Sequence, residues 1–158
     1  MEFIMLCGIP TSGKSTFVKT LLAQPYWENV IVLSTDNYIQ QIAEERGKTY
    51  NDVYQDTIKE ATENLRRQMK TAIKNGRDII LDQTNLTRKS RKNKISKLPN
   101  TYHRKVVYFE ISLEEALVRN KHREGKFIPE RVLKQMYYSY EIPNNTEDFE
   151  MIERGVAT

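Results

Sequence analysis

The segment Gly8-Ile9-Pro10-Thr11-Ser12-Gly13-Lys14-Ser15-Thr16 limits what this chain can become more than any other, because it follows directly on the apolar run Phe3-Ile4-Met5-Leu6-Cys7. The spacing G-x-x-x-x-G-K-S/T has a mechanism. The glycines let the backbone curl until successive N–H groups face an anion, the lysine reaches the β- and γ-phosphates, and the serine hydroxyl meets Mg²⁺. A helix starting near Gly13 adds the positive end of its dipole. Strand, loop and helix in this order predict a nucleoside-triphosphate site. Gly8, Thr11, Ser12, Gly13, Lys14, Ser15 and Thr16 would surround the phosphates, with Ser15 also on the metal. An accidental glycine-containing turn is the alternative, and the preceding strand argues against it.

The remaining chain alternates between two kinds of pattern. Residues 2–7, 30–33, 79–81 and 105–109 are short apolar runs rich in β-branched residues, and they read as buried strands. Between them lie helical stretches at 14–23, 35–46, 51–75 and 87–97. In the long one, Ile58, Ala61, Leu65, Met69, Ala72 and Ile73 recur at helical spacing, and Asn75-Gly76 supplies the stop. Ser112-x-x-Glu115 reads as a capping box opening a further helix, and Pro129 suits the first turn of the last one. From Ile142 the chain is irregular, with a short strand near Met151. Strands alternating with helices predict an α/β fold, a parallel sheet with helices on both faces in three layers. At 158 residues this is one domain, 1–158.

No apolar stretch approaches the roughly 20 residues that span a bilayer, and Met1-Glu2 lacks the basic start of a signal peptide. The single Cys7 precludes an internal disulfide and suits a reducing, cytoplasmic setting. One Cys and two separated His leave no zinc set. The net charge of +4 is unevenly spread. Between Asp82 and Glu110 there is no acidic residue, while Arg88, Lys89, Arg91, Lys92, Lys94, Lys97, Arg104 and Lys105 fall there. This is either the footprint of a polyanion or the solvated face of one helix.

Ligands on parallel sheets sit beyond the carboxyl ends of the strands. Gly8, Asp36, Asp82 and Thr84 each lie just past such an end. Phosphoryl transfer asks for positioning, positive charge and, with a hydroxyl acceptor, a carboxylate to take its proton. Asp36, among Ser34, Thr35 and Asn37, is the candidate for the acceptor proton. Asp82, behind Ile79-Ile80-Leu81, is the candidate for the metal or its water. Either could instead be a helix N-cap or turn residue. Arg119, Lys121, Arg123 and Lys126, ahead of Pro129, stand where a mobile lid over the phosphates is expected, at about 119–129; a basic helix end favoured by the macrodipole is the alternative.

Taken in order, the loop at 8–16, Ser34-Thr35-Asp36-Asn37-Tyr38, Asp82-Gln83-Thr84-Asn85-Leu86 and Arg119-Asn120-Lys121-His122-Arg123 with Pro129 resemble the polynucleotide-kinase-like P-loop kinases. The pattern is that of the kinase domain of the bacteriophage enzyme, within the wider AAA_33-type group that includes zeta-toxin-like kinases. The resemblance implies an adenylate-kinase-like P-loop NTPase fold with a lid, and ATP and Mg²⁺ as cofactors. It implies Lys14, Asp36 and Arg123 as catalytic residues, Asp36 being the general base and Arg123 the lid arginine on the phosphates. Arg119 would lie near the adenine and Asp82 with Ser15 at the metal. Thr84 and Asn85 would line the acceptor side, with Asn37 beside the base and Arg88 at the head of the basic stretch. Two positions depart from the pattern: Ile39 stands where the phage enzyme has an arginine that grips an acceptor phosphate, and Gln83 where it has an acidic residue. The expected activity is transfer of the γ-phosphate of ATP to a nucleic-acid hydroxyl, most simply a 5′-hydroxyl, on DNA in preference to RNA. Alternatives are phosphorylation of a hydroxymethyl base such as 5-hydroxymethyluracil, a small-molecule kinase for a nucleoside, sugar or antibiotic, or a non-catalytic nucleotide module. A guanine-reading N-K-x-D is missing, which argues against a GTPase switch.

Overall fold

The computed structural model describes residues 1–156, so the last two residues of the expected 1–158 span lie outside it. Five parallel strands form one sheet in the order β2-β3-β1-β4-β5. They are β1 (Glu2–Cys7), β2 (Val30–Leu33), β3 (Asp78–Leu81), β4 (His103–Tyr108) and β5 (Met151–Arg154). The central strand β1 carries Phe3, Met5 and Cys7 on one face and Ile4 and Leu6 on the other, and all five are buried. Those two sets seed two separate apolar clusters, so helices must cover both faces. This is the three-layer α/β arrangement of a P-loop fold.

The helices are α1 (Lys14–Leu22), α2 (Thr35–Glu45), α3 (Tyr50–Lys74), α4 (Arg88–Ile95), α5 (Leu113–Lys121) and α6 (Glu130–Ser139). Local chemistry explains most boundaries. Ser34 caps α2 by accepting from the Asn37 N–H, and Thr87 caps α4 by accepting from the Ser90 N–H. The capping box expected at Ser112 forms only in half. Ser112 accepts from the Glu115 N–H, but the Glu115 carboxylate turns outward to Arg119 at 2.7 Å. The complete box is at Thr49 and Asp52, each side chain bonded to the other's backbone N–H, and it opens α3 at Tyr50, one residue earlier than the apolar periodicity indicates. Pro129 is the N-cap of α6 and not its first helical residue.

No helix among the described residues is long and apolar enough to cross a membrane. The sheet's carboxyl edge carries the loops after β1, β2 and β3, and these meet the loop between α5 and α6 there.

Candidate active site

The phosphate loop runs from the end of β1 to α1. Gly13, the N-cap of α1, has φ 104°, a conformation that costs a side chain dearly, and no side chain caps the helix. The first N–H groups of α1 are thereby left for a ligand. Thr11 shares the left-handed backbone at φ 74°. The Thr11 Oγ1 and Ser12 Oγ hydroxyls are buried without a hydrogen-bond partner. An uncapped helix start and two orphaned hydroxyls fit a polyphosphate. Lys14 meanwhile folds along its own loop, donating from Nζ to the Gly8 carbonyl at 2.6 Å and the Ile9 carbonyl at 2.8 Å. Loss of solvent pulls its ammonium down to about 8, against the opposing pull of Asp82 and Asp36.

Across a cleft of about 970 Å³ from this loop lie Ser34–Asn37, the first turns of α3, and Asp82–Thr84. Asp36 is in the first turn of α2, with a side chain about half exposed. The helix is capped by Ser34, so Asp36 is free of the capping role that would otherwise explain it. Its Oδ1 accepts from Tyr50 Oη at 2.7 Å, and its Oδ2 lies 3.6 Å from Lys126 Nζ. Asp82 is held by its backbone N–H on the Leu33 carbonyl. Burial pushes its carboxyl up, with Lys14 opposing. The Ser15 hydroxyl and this single carboxylate fit Mg²⁺, which keeps several waters and leans on substrate phosphates. Among the described residues no group of three His, Cys, Asp or Glu would hold a metal alone.

The loop after α5 closes the cleft. Arg119, Arg123, Lys126, Phe127 and Ile128 all line it. Arg119 donates to the Thr11 carbonyl at 2.9 Å, which ties α5 to the phosphate loop. Burial pulls the Arg123 guanidinium down from its ordinary value, with Asp36 and Tyr50 opposing. The loop is docked on α3: the Asn51 N–H donates to the Gly125 carbonyl, and Asn51 Nδ2 to the Phe127 carbonyl. Gly125, at φ 66°, sits so close to Thr49 that a Cβ would come within 2.8 Å of the threonine Cβ.

Several expected residues stand elsewhere. Asn85 does not face the cleft. It is buried at φ 46°, its Nδ2 donating to the Leu6 carbonyl at 2.7 Å and its Oδ1 accepting from Lys94 Nζ. Its amide holds the loop after β3 against β1, because a left-handed turn beside a buried strand leaves polar groups that only a side chain can satisfy. Thr84 and Asn37 line the cleft, while Arg88 lies outside it and donates to the Thr146 carbonyl. Gly8 is buried under the loop, where a Cβ would meet Ser12 Oγ at 2.7 Å. Ile39 is fully buried between α2 and α3 with Ala43, Val53 and Ala61, so this position faces the core and not the acceptor. The basic stretch is divided: Arg88, Lys89, Lys92 and Lys97 are exposed, as on a solvated face, while other cations are used inside the protein. Arg91 is fully buried and paired through two bonds with Glu147, at 2.8 and 3.0 Å, and it also donates to the Asn85 carbonyl. Arg104 and Lys105 pair with Asp148 and Glu153.

The model of the AAA_33 family, an AAA domain, matches residues 3–143. The chain belongs to that family. It is 29% identical to the L-seryl-tRNA(Sec) kinase of Methanococcus maripaludis over 98% of its length. A chain of the Pnkp1/Rnl/Hen1 RNA repair complex superposes with a TM-score of 0.63 over 87% of this chain, at 21% identity. A gluconokinase from Sinorhizobium meliloti 1021 superposes with a TM-score of 0.58 over 96%, at 18% identity and over 81% of its own length. The chain spans 58% of the seryl-tRNA(Sec) kinase and 43% of the RNA repair chain. The expected AAA_33-type family and P-loop fold therefore both hold.

Tyr50, Asn51, Tyr54 and Gln55 also line the cleft, and no motif marks them. The signal was the Thr49-x-x-Asp52 box behind Gly47, which fixes where α3 begins and hence which residues its first turn presents.

Proposed function

We propose that this chain is a kinase domain that moves the γ-phosphate of ATP onto a hydroxyl carried by a nucleic acid, in the reducing cytoplasm. The observation that carries this reading is Asp36. It projects from an independently capped helix into the cleft that holds Lys14 and Arg123, with one oxygen hydrogen-bonded to Tyr50 and the other no closer than 3.6 Å to Lys126 Nζ. In the proposed reaction Lys14 and Arg123 stabilise charge on the transferring phosphoryl group, and Asp36 takes the proton of the attacking hydroxyl. Ser15 and Asp82 are the groups that would hold Mg²⁺, which neutralises charge between the β- and γ-phosphates. Arg119 would flank the adenine.

The nucleic-acid acceptor draws support from two relatives, one a seryl-tRNA(Sec) kinase and the other part of an RNA repair complex. It also fits the cleft's aromatic lining, where Tyr54 stands 5.7 Å from Tyr50, since bases stack on such rings. The internal pairing of Arg91, Arg104 and Lys105 favours a second reading, a small-molecule kinase, because it removes charge that a long polyanion would use.

The test is transfer of labelled γ-phosphate across a panel: DNA and RNA with 5′-hydroxyl ends, DNA containing 5-hydroxymethyluracil, nucleosides and sugars. Lys14→Ala is the control, expected to abolish transfer in a protein that still folds and melts cooperatively. Labelling of oligonucleotides supports the nucleic-acid reading. Labelling of nucleosides or sugars alone replaces it with the second. No labelled acceptor at all would remove the kinase reading.

A further inference from the structure

The first residue of α3 meets the proposed base directly. Tyr50 Oη donates to Asp36 Oδ1 at 2.7 Å, joining α3 to α2 across the floor of the cleft. The Thr49–Asp52 capping box fixes the start of α3, so the position from which the phenol reaches out is set by two reciprocal hydrogen bonds. One face of the Tyr50 ring is covered by Lys126 Nζ, 4.8 Å from its centroid, and the ring is also tilted against Tyr54. The same ammonium lies 3.6 Å from Asp36 Oδ2. The two carboxylate oxygens are thus treated differently. Oδ1 has a close hydroxyl donor, whereas Oδ2 has only a loosely placed cation from the closing loop.

We propose that Tyr50 is a positioning residue for Asp36, holding Oδ1 so that Oδ2 faces the acceptor hydroxyl. This rests on the reading of Asp36 as the base. In the step, the acceptor O–H bond breaks and its proton passes to Oδ2. The freed electron pair forms the new O–P bond while the bond between the γ-phosphorus and its bridging oxygen breaks, leaving ADP. Tyr50 keeps its own proton throughout. Burial, the charge of Asp36 and the hydrogen bond to it all push the phenol well above its ordinary ionisation range. The charged and titratable groups around Asp36 are Tyr50 on α3, Lys126 and Arg123 on the closing loop, Lys14 on the phosphate loop and Asp82 after β3.

Packing alone is the competing explanation for Tyr50, since its ring also joins the apolar cluster of Ile39, Ala43 and Val53. Tyr50→Phe separates the two, because it keeps the ring and removes only the hydroxyl. With the acceptor found by the panel, we expect kcat to fall about tenfold or more, as befits a lost hydrogen bond to a charged group, while the KM for ATP holds. In an Asp36→Asn background the same change should cost nothing further. A second readout needs no acceptor: tyrosine labelled at Cζ, followed by NMR through a pH titration, with Tyr50→Phe assigning the resonance. Replacing Asp36 by Asn should let Tyr50 ionise at lower pH, whereas burial alone would leave it where it was. Wild-type kcat in Tyr50→Phe, fully additive losses, or a Tyr50 resonance indifferent to Asp36→Asn would each overturn the positioning role alone. Full kcat in Asp36→Asn would overturn the base itself.

Discussion

Two basic segments of this chain meet opposite fates. The α4 segment, Arg88 to Lys97, and the segment from Arg119 to Lys126 are both rich in cations, and both end near a proline. In α4 two of the cations, Arg91 and Lys94, turn inward. Arg91 is spent on buried Glu147, and Lys94 on the buried Asn85 amide, where loss of solvent pulls its ammonium down to about 8. In the loop after α5, Arg123 and Lys126 face the cleft, with Asp36 and the Tyr50 ring beside them. Partner supply makes the difference. The tail that follows α6 brings Glu147 back across α4, while Arg123 and Lys126 face the cleft carboxylates Asp36 and Asp82 without a close, buried ion pair among the described residues. A cation with a buried partner is structure. One left facing a cleft is available to a ligand.

The largest effect that this comparison predicts is on stability. Arg91→Ala leaves Glu147 buried without its partner and should cost about 3–5 kcal/mol, lowering the melting temperature by roughly 10 °C or more. A melting curve like that of the wild type would show that α4's arginine is not structural. Next comes Arg123→Ala. Its melting temperature should stay put, while kcat falls about 10²–10³-fold with a smaller change in the KM for ATP, because the lost charge stabilises the transferring phosphoryl group. If Arg123→Ala unfolds the protein as Arg91→Ala does, the two segments are alike and the comparison fails.

A pH series sharpens the contrast between a cleft cation and one spent inside the protein. Lys14 and Lys94 both titrate near 8, below the ordinary lysine value of 10.5. Between those values the unfolded chain binds more protons than the folded one, so stability of the free protein should rise with pH across that window. Lys94→Met should flatten the rise in denaturant unfolding without touching nucleotide binding. Lys14 behaves oppositely towards its ligand. ATP needs the ammonium charged, so affinity measured by calorimetry should fall as pH climbs past about 8. ATP affinity that stays level across that range would contradict the lowered value for Lys14.

The smallest effect concerns the cations of α4 that remain outside. Arg88→Glu combined with Lys92→Glu changes two exposed residues and should move stability by no more than about 0.5 kcal/mol. If nucleic acid lies along α4, its KM should rise, and the salt dependence should flatten by about 0.9 in log–log slope for each phosphate that is no longer neutralised. An unchanged KM and slope would confine the acceptor to the cleft.

Much of this is legible in the chain itself. Most strands are short apolar runs and most helices have a periodic face, so the first four strands and the helices between them follow from local pattern. The phosphate loop is legible for the same reason, since its function depends on residues adjacent in the chain. Asn85 and Ile39 show where legibility stops. Both sit beside motif residues, yet one braces β1 from within and the other fills the space between α2 and α3. Side-chain direction there is decided by elements some 80 and 14 to 22 residues distant, respectively. Tyr50 illustrates the reverse. Nothing in its immediate sequence ties it to Asp36, but the capping box starts α3 where the phenol can reach 14 residues back.

The sequence by itself determined a parallel α/β sheet with a phosphate loop at its carboxyl edge, because apolar periodicity and glycine spacing act over a few residues at a time. The tertiary structure alone decided which of many charged residues stand in the cleft. Burial and ion pairing are settled between distant segments: Glu147 claims Arg91, Tyr50 holds Asp36, and Arg123 is left facing the phosphate loop. Charge is written in the chain, but its availability depends on what folds against it.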